Sequence, residues 1–147
     1  MNNSTKQILI TVEVPKGSFI KYSRDHLVEY ISPIPCPFNY GSILGTTSSD
    51  GEEVDAVILG PRLPRRHQHA HTVQGRVGFI DKGCVDDKWI CHTEPITAKQ
   101  QRRILRFFYR YALVKRIWNF LGGHQGRTAC LGWSDASAFS PAEFQAD

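Results

Sequence analysis

The sequence predicts a mainly β fold with helices (α+β), in which a small barrel of strands precedes one long helix. Strands are expected in the first hundred residues, because apolar and polar residues alternate there between turn-forming loops. These loops are rich in Pro or in Gly and acidic residues, at spacings suited to a small barrel. The last third instead repeats apolar residues every three to four positions, which is the period of a helix.

Five segments carry the strand pattern. Residues 7–14 (QILITVEV) alternate most regularly, with Ile8, Ile10, Val12 and Val14 on one face. The other strands are expected at Val28–Ser32, Val54–Leu59, Thr72–Ile80 and Trp89–His92.

The long helix has a recognisable start and end. Thr97 and Gln100 fit a capping box, in which each side chain accepts from the other residue's backbone N–H. Gly122 and Gly123 should end the helix. The apolar face is expected to comprise Ile104, Phe107, Tyr111, Val114, Trp118 and Leu121.

The length and composition favour one domain over residues 1–147, because 147 residues with 41% hydrophobic content suit a single core. No apolar run approaches the roughly 20 residues of a membrane span, and the start does not resemble a signal peptide. We therefore expect a cytoplasmic protein that does not bind membranes. The four cysteines lack a Cys-x-x-Cys spacing, so neither a zinc site nor a redox motif is expected. They are Cys36, Cys84, Cys91 and Cys130.

The charge of the chain is unevenly distributed around a net +4. Residues 96–127 contain eight Lys or Arg and no acid. Half of the fourteen acids lie in two short stretches, Asp50–Asp55 and Asp81–Asp87. Such clusters are unfavourable unless cations neutralise them, so the two stretches are candidate cation sites.

Each acidic stretch has two readings. Asp50-Gly-Glu52-Glu53-Val-Asp55 is a turn that enters an apolar strand, and its hard oxygen ligands suit Mg²⁺ or Mn²⁺. In Asp81-Lys-Gly-Cys-Val-Asp86-Asp87-Lys88, a hairpin turn should bring two acids and a lysine to one spot. Taken alone, each stretch is more often a solvated surface loop.

Seven motifs in order resemble the soluble (family I) inorganic pyrophosphatases over nearly the whole chain. They are Glu13-Val-Pro15, Lys21-Tyr22, Asn39-Tyr40-Gly41, the Asp50–Asp55 turn, Asp81 with Asp86 and Lys88, Phe107-Phe108 with Tyr111, and Gly132-Trp133. The resemblance implies a five-stranded OB-like closed barrel, with the long helix and a short terminal helix packed outside. It also implies hydrolysis of pyrophosphate to two phosphates by water activated on Mg²⁺, for which Mn²⁺ can substitute, and a homo-oligomer, by analogy a hexamer.

The resemblance assigns roles to named positions. Glu52 stands where the family has the Asp that orients and deprotonates the attacking water. The positions that ligate the metal ions, with Glu13 in support, are Asp50, Asp55, Asp81 and Asp86. The positions that contact phosphate oxygens are Lys21, Tyr40, Lys88 and Tyr111.

The sequence departs from the family pattern at three places. Glu52 is one methylene longer than the family's Asp, and a displacement of about 1 Å can cost on the order of a hundredfold in rate. Ala112 replaces a lysine, and Val28 stands near the place of a phosphate-binding arginine. Arg24, Arg62 and Arg110 are candidate substitutes. A second hypothesis is therefore a catalytically weakened homologue that binds metal and phosphate compounds without efficient turnover.

Two further readings come from other features. His67, His69 and His71 would share one strand face, a spacing compatible with a transition metal, although an exposed polar face is the more common outcome. A barrel followed by the basic segment Lys99–Arg127 would also suit a nucleic-acid-binding module. The two acidic loops argue against that module, so no nucleic-acid partner is expected.

Overall fold

The computed structural model describes residues 7–22, 28–31, 35–48 and 51–135. The strands within these ranges are β1 (Gln7–Val14), β2 (Ile20–Tyr22), β3 (Val28–Ile31), β4 (Asn39–Ile43), β5 (Asp55–Ile58), β6 (Gln68–Asp81), β7 (Cys84–Val85), β8 (Lys88–Cys91) and β9 (Ala129–Asp135). The long helix, α1, spans Ala98–Leu121. The five predicted strands are confirmed, although their ends shift by up to four residues, and β2, β4, β7 and β9 were not predicted.

Among the described residues, five strands close into a ring. β1 pairs with β4, β4 with β5, β5 with β8, β8 with β6, and β6 returns to β1. The β5–β8 pair is parallel and the others are antiparallel. This ring confirms the predicted closed five-stranded architecture. The long strand β6 also pairs with β7 and β9 in its second half.

The sheet buries both of its faces. One cluster, which includes Ile8, Ile10 and Trp89, packs strand against strand. The other places Phe79 and its neighbours against Ile104, Phe108 and Ala112 of the helix. The helix therefore covers one outer face of the ring.

The helix begins and ends as predicted, but its buried face differs. The Thr97–Gln100 capping box is present and Gly122 is the C-cap. The buried residues of the helix are Ile104, Phe108, Ala112 and Asn119. Trp118 and Leu121, on the predicted apolar face, are exposed, at 62% and 76%. In the last turns the inward position is taken by Asn119, which binds polar groups of β6 and of the loop before β9.

Two further sequence expectations concern helices. The short terminal helix would have to follow Asp135, which is the last described residue. Within the described ranges, no helix combines the length and the hydropathy that a membrane span requires.

β4 approaches β1 closely at Gly41, and a substitution at this position tests the packing. A Cβ atom at this position would lie 2.1 Å from the backbone oxygen of Thr11. Gly41→Ala should therefore lower the free energy of unfolding by about 1–3 kcal/mol or more, since backbone strands must separate to admit it. Gly78→Ala is the milder control, because its Cβ would lie 3.1 Å from the Leu131 Cβ atom and meets backbone only at 3.7 Å, at the Gly132 oxygen. Equal urea midpoints for wild type and Gly41→Ala would contradict the close packing.

Candidate active site

The centre of the site is the buried ammonium group of Lys88. This residue opens β8, and the parallel register sets it beside Asp55 of β5. Its side chain is 1% exposed, and Nζ lies 2.6 Å from Oδ2 of Asp55 and 2.7 Å from Oδ2 of Asp86. Since side chains two residues apart in an extended chain share a face, the predicted pairing of Asp86 with Lys88 follows from their spacing.

The pKa values of this cluster show that one cation serves two acids. Burial acts to lower the pKa of Lys88, but the charges of Asp55 and Asp86 outweigh it and raise that pKa. Burial and the neighbouring Asp55 charge raise the pKa of Asp86 to about 7, against the opposing charge of Lys88. Burial also opposes ionisation of Asp55, but Lys88 and Lys21 lower its pKa. With both acids ionised, the cluster carries excess negative charge.

Aromatic residues surround the Lys88 ammonium. The Tyr40 hydroxyl donates to Oδ2 of Asp55 at 2.5 Å. Burial and then the Asp55 charge raise the pKa of Tyr40 well above its ordinary value, so Tyr40 keeps its proton. The Lys88 Nζ lies 5.3 Å from the ring centre of Phe79 and 5.7 Å from that of Tyr40. Tyr111 belongs to the same group, because its ring centre is 5.7 Å from that of Phe79.

Glu13 and Lys21 form a second pair at the edge of this cluster. Lys21 Nζ lies 3.6 Å from Oε2 of Glu13, and the Ser42 hydroxyl donates to Oε1 of Glu13. Lys21 is close enough for its charge to lower the Asp55 pKa. Ser42 was missed by the sequence reasoning. It lies two residues after Tyr40 on β4 and opposite Asp55 on β5, so the period of a strand could have found it.

Asp81 has a different set of partners from Asp55 and Asp86. Its Oδ1 accepts from Asn119 Nδ2 at 2.9 Å and from Thr128 Oγ1 at 3.2 Å. Lys115 Nζ lies 3.4 Å from its Oδ2. Although burial opposes ionisation, these bonds and the Lys115 charge lower the pKa of Asp81. The structure thus ties Asp81 to α1 and to the loop before β9, whereas Asp86 shares Lys88 with Asp55.

The acidic turn before β5 is only partly described. Asp50 lies outside the described residues, as do Arg24 and the side chain of Val28. Glu52 is exposed, and its carbonyl oxygen accepts from the backbone N–H of Ser48 at 2.7 Å. Arg62 and Arg110 are also exposed. Ala112 is buried against the sheet.

The three histidines form a separate group at the start of β6. The ring centres of His67, His69 and His71 lie 5.7 to 6.4 Å apart, which confirms that they share one face. Asp81 is at the other end of this strand. In the part of the chain that the structure describes, no three His, Cys, Asp or Glu side chains are arranged to hold a metal ion.

The residues at Lys88 nevertheless fit a magnesium ion. Mg²⁺ is usually bound by one or two carboxylates, with water and substrate phosphate oxygens completing its shell. Asp55 and Asp86 supply two neighbouring carboxylates. The raised pKa of Asp86 shows that a further positive charge would be favourable there.

Comparisons with known proteins point to one family. A sequence model described as inorganic pyrophosphatase matches residues 10–122. The inorganic pyrophosphatase of Synechocystis is 28% identical, over 91% of this chain and 86% of that protein. That of Corynebacterium glutamicum is 41% identical, over 55% of this chain and 56% of that protein, so the chain spans little more than half of this relative.

Solved structures give the same result. An inorganic pyrophosphatase from Neisseria gonorrhoeae superposes with a TM-score of 0.72 at 25% identity, covering 90% of this chain and 84% of that one. The Helicobacter pylori enzyme has a TM-score of 0.74 over 93% and 89% of the two chains, and its 19% identity shows the fold alone. By the family match over most of its length, the chain belongs to the inorganic pyrophosphatase family, whose members are hydrolases.

Proposed function

We propose that this protein hydrolyses inorganic pyrophosphate to two phosphates in a Mg²⁺-dependent reaction. The observation that carries the proposal is the buried Lys88 ammonium held between Asp55 and Asp86, with the Tyr40 hydroxyl on Asp55. This arrangement supports the proposal, because carboxylates suited to a metal ion and an ammonium group suited to a phosphate oxygen lie side by side. We also propose a cytoplasmic location, which the name of the rice relative, a soluble inorganic pyrophosphatase, supports.

The metal would be held first by Asp55 and Asp86. Glu13 supports them from β1, and Asp50 and Asp81 remain proposed ligands on the strength of the resemblance. When bound, Mg²⁺, or Mn²⁺ in its place, lowers the pKa of a bound water and offsets the charge of the pyrophosphate oxygens.

The protein's own residues bind the substrate and move the proton. Lys88 keeps its ammonium charge because Asp55 and Asp86 raise its pKa, so it can bind a phosphate oxygen over the whole neutral range. Lys21 provides a second ammonium, and the hydroxyls of Tyr40 and Tyr111 are neutral donors. Glu52, in the turn three residues before Asp55, is the proposed base that takes the proton from the attacking water.

We further propose that the protein is a homo-oligomer, by analogy a hexamer, built through the exposed surface of α1. Six large apolar side chains on this surface are more than half exposed, and an exposed apolar patch commonly marks a protein contact. They are Tyr109, Leu113, Ile117, Trp118, Phe120 and Leu121.

If Asp86 binds the metal, Asp86→Asn should change the melting temperature differently in EDTA and in Mg²⁺. An acid whose pKa is raised to about 7 on folding is easier to ionise in the unfolded chain. Stability in EDTA should therefore fall as the pH rises from about 4 to about 7. Asp86→Asn removes this loss, so it should raise the metal-free melting temperature at pH 8 and reduce the further rise caused by Mg²⁺.

Thermal melting in EDTA and in millimolar Mg²⁺ measures both effects. Asp55→Asn should also reduce the magnesium shift, whereas His69→Ala and the exposed control Glu94→Gln should leave it intact. A wild-type melting curve that neither Mg²⁺ nor Mn²⁺ changes would count against the metal site.

Glu52 is tested by steady-state phosphate release at saturating Mg²⁺. Glu52→Gln keeps the length and removes the basic charge, so the maximal rate should fall by about a hundredfold to ten-thousandfold. Glu52→Asp should preserve or raise the rate if the turn places the shorter acid as the family pattern does. Glu53→Gln removes the same charge from the same turn and should retain most activity. A loss of rate in Glu53→Gln but not in Glu52→Gln would identify Glu53 as the base. A wild type that releases no phosphate would support the weakened homologue.

The oligomer is tested by sedimentation velocity. Wild type should sediment as an oligomer at micromolar concentration, and Leu113→Asp with Ile117→Asp should give a monomer, because two buried charges would have no partner. Arg102→Asp, an exposed change on the same helix, should leave the oligomer intact. A monomeric wild type would contradict the proposal.

A further inference from the structure

Lys115 lies on α1 between Asp81 and the aromatic side of the site. Its Nζ is 3.4 Å from Oδ2 of Asp81 and 6.0 Å from the ring centre of Tyr111. Tyr111 is four residues earlier on the helix, so the two side chains are neighbours on one helix face. The side chain of Lys115 is only 19% exposed, whereas Lys99 at the start of the same helix is exposed.

The ion pair between Lys115 and Asp81 is a loose one. Charge-assisted hydrogen bonds between an ammonium and a carboxylate are commonly about 2.7–2.9 Å long. The Lys88 pairs have this length, at 2.6 and 2.7 Å, whereas the Lys115 distance is 3.4 Å. Asp81 also accepts from Asn119 and Thr128 on its other oxygen. Asp81 therefore keeps two hydrogen bonds if the ammonium of Lys115 moves to another anion.

Lys88 is more firmly engaged than Lys115, because two carboxylates hold it at 2.6 and 2.7 Å. Lys21 forms a pair of 3.6 Å with Glu13, which is as loose as that of Lys115. Tyr111 connects Lys115 to this group, because its ring centre lies 5.7 Å from that of Phe79, whose ring centre is 5.3 Å from Lys88 Nζ. An anion that approaches Lys88 along the helix side of the site thus meets Lys115 beside Tyr111.

We propose that Lys115 is a substrate-binding residue, whose ammonium leaves Asp81 to bind a phosphate oxygen next to Tyr111. The identity of the substrate as pyrophosphate rests on the proposed function. The binding role does not, since it concerns any phosphate group that enters the site. Asp81 then acts as the resting partner that holds the Lys115 side chain near the site when no anion is bound.

The first experiment measures the binding of inorganic phosphate by titration calorimetry in EDTA. Lys115→Met keeps the apolar stem and removes the charge, which limits the structural effect. It should weaken phosphate binding about tenfold to a hundredfold, as expected for one charge-assisted hydrogen bond. Lys99→Met, which removes the same charge from the exposed start of the helix, should change the affinity less than about twofold. Lys115→Arg should retain most of the affinity.

A double-mutant cycle separates a binding role from a structural one. If Lys115 exchanges between Asp81 and phosphate, Asp81→Asn should tighten phosphate binding. This gain in affinity should disappear in the Lys115→Met background. A purely structural Lys115 would instead lower the melting temperature in Lys115→Met without a matching loss of phosphate affinity. In steady state, Lys115→Met should raise KM for pyrophosphate more than it lowers kcat.

Failure of this inference differs from failure of the proposed function. Phosphate binding that is equal in wild type and Lys115→Met would overturn the role of Lys115, whatever the rate of hydrolysis. An undetectable affinity of wild type for phosphate would overturn it as well. A wild type that binds phosphate through Lys115 but releases none from pyrophosphate would refute only the proposed hydrolysis.

Discussion

The ammonium group of Lys88 is the constraint on which the rest of the site depends. A lysine that is 1% exposed is tolerable only when its charge is paired, and here two carboxylates pair with it. One comes from the neighbouring parallel strand and the other from the turn that precedes β8. Asp87 helps to fix that turn, because its Oδ1 accepts from the backbone N–H of Phe79 at 2.9 Å. A shift of one residue between β5 and β8 would turn Lys88 to the opposite face of the sheet from Asp55 and break their ion pair.

A strand was predictable where its sequence shows alternation or an apolar run. β1 has a buried face and a more exposed one, so its alternation is visible, and the fully buried β8 is marked by its apolar residues. β4 is also mostly buried, but Asn39, Gly41 and Ser42 are among its buried residues, so the segment NYGSI resembles a loop. On α1 the periodicity located the helix but not its last buried turn. That turn buries the polar side chain of Asn119, and the spacing of apolar residues cannot reveal a buried polar position.

Within the site, the sequence predicts contacts between residues close together in the chain but not contacts between distant ones. Asp86 and Lys88 could be paired from their spacing, because the strand period fixes the side on which each lies. The partners of Asp81 are 38 and 47 residues away along the chain, so only the packing of α1 and β9 against β6 brings them together. The role of Glu52 is inferred from its motif position three residues before Asp55, and its side chain is exposed.

The distribution of charge between sheet and helix follows from the same packing. A site for a highly anionic substrate needs carboxylates to collect metal ions and separate cations to bind phosphate oxygens. Asp55 and Asp86 lie on the sheet side, whereas α1 contains no acid between Ala98 and Leu121. Asp81, at the end of β6, accepts from Asn119 of α1 and from Thr128 before β9. This hydrogen-bonded junction fixes the helix relative to the strand, and it thereby sets how far Tyr111 and Lys115 stand from Lys88. Lys115 adds one ion pair to Asp81, so the junction combines two neutral hydrogen-bond donors with a single ammonium group.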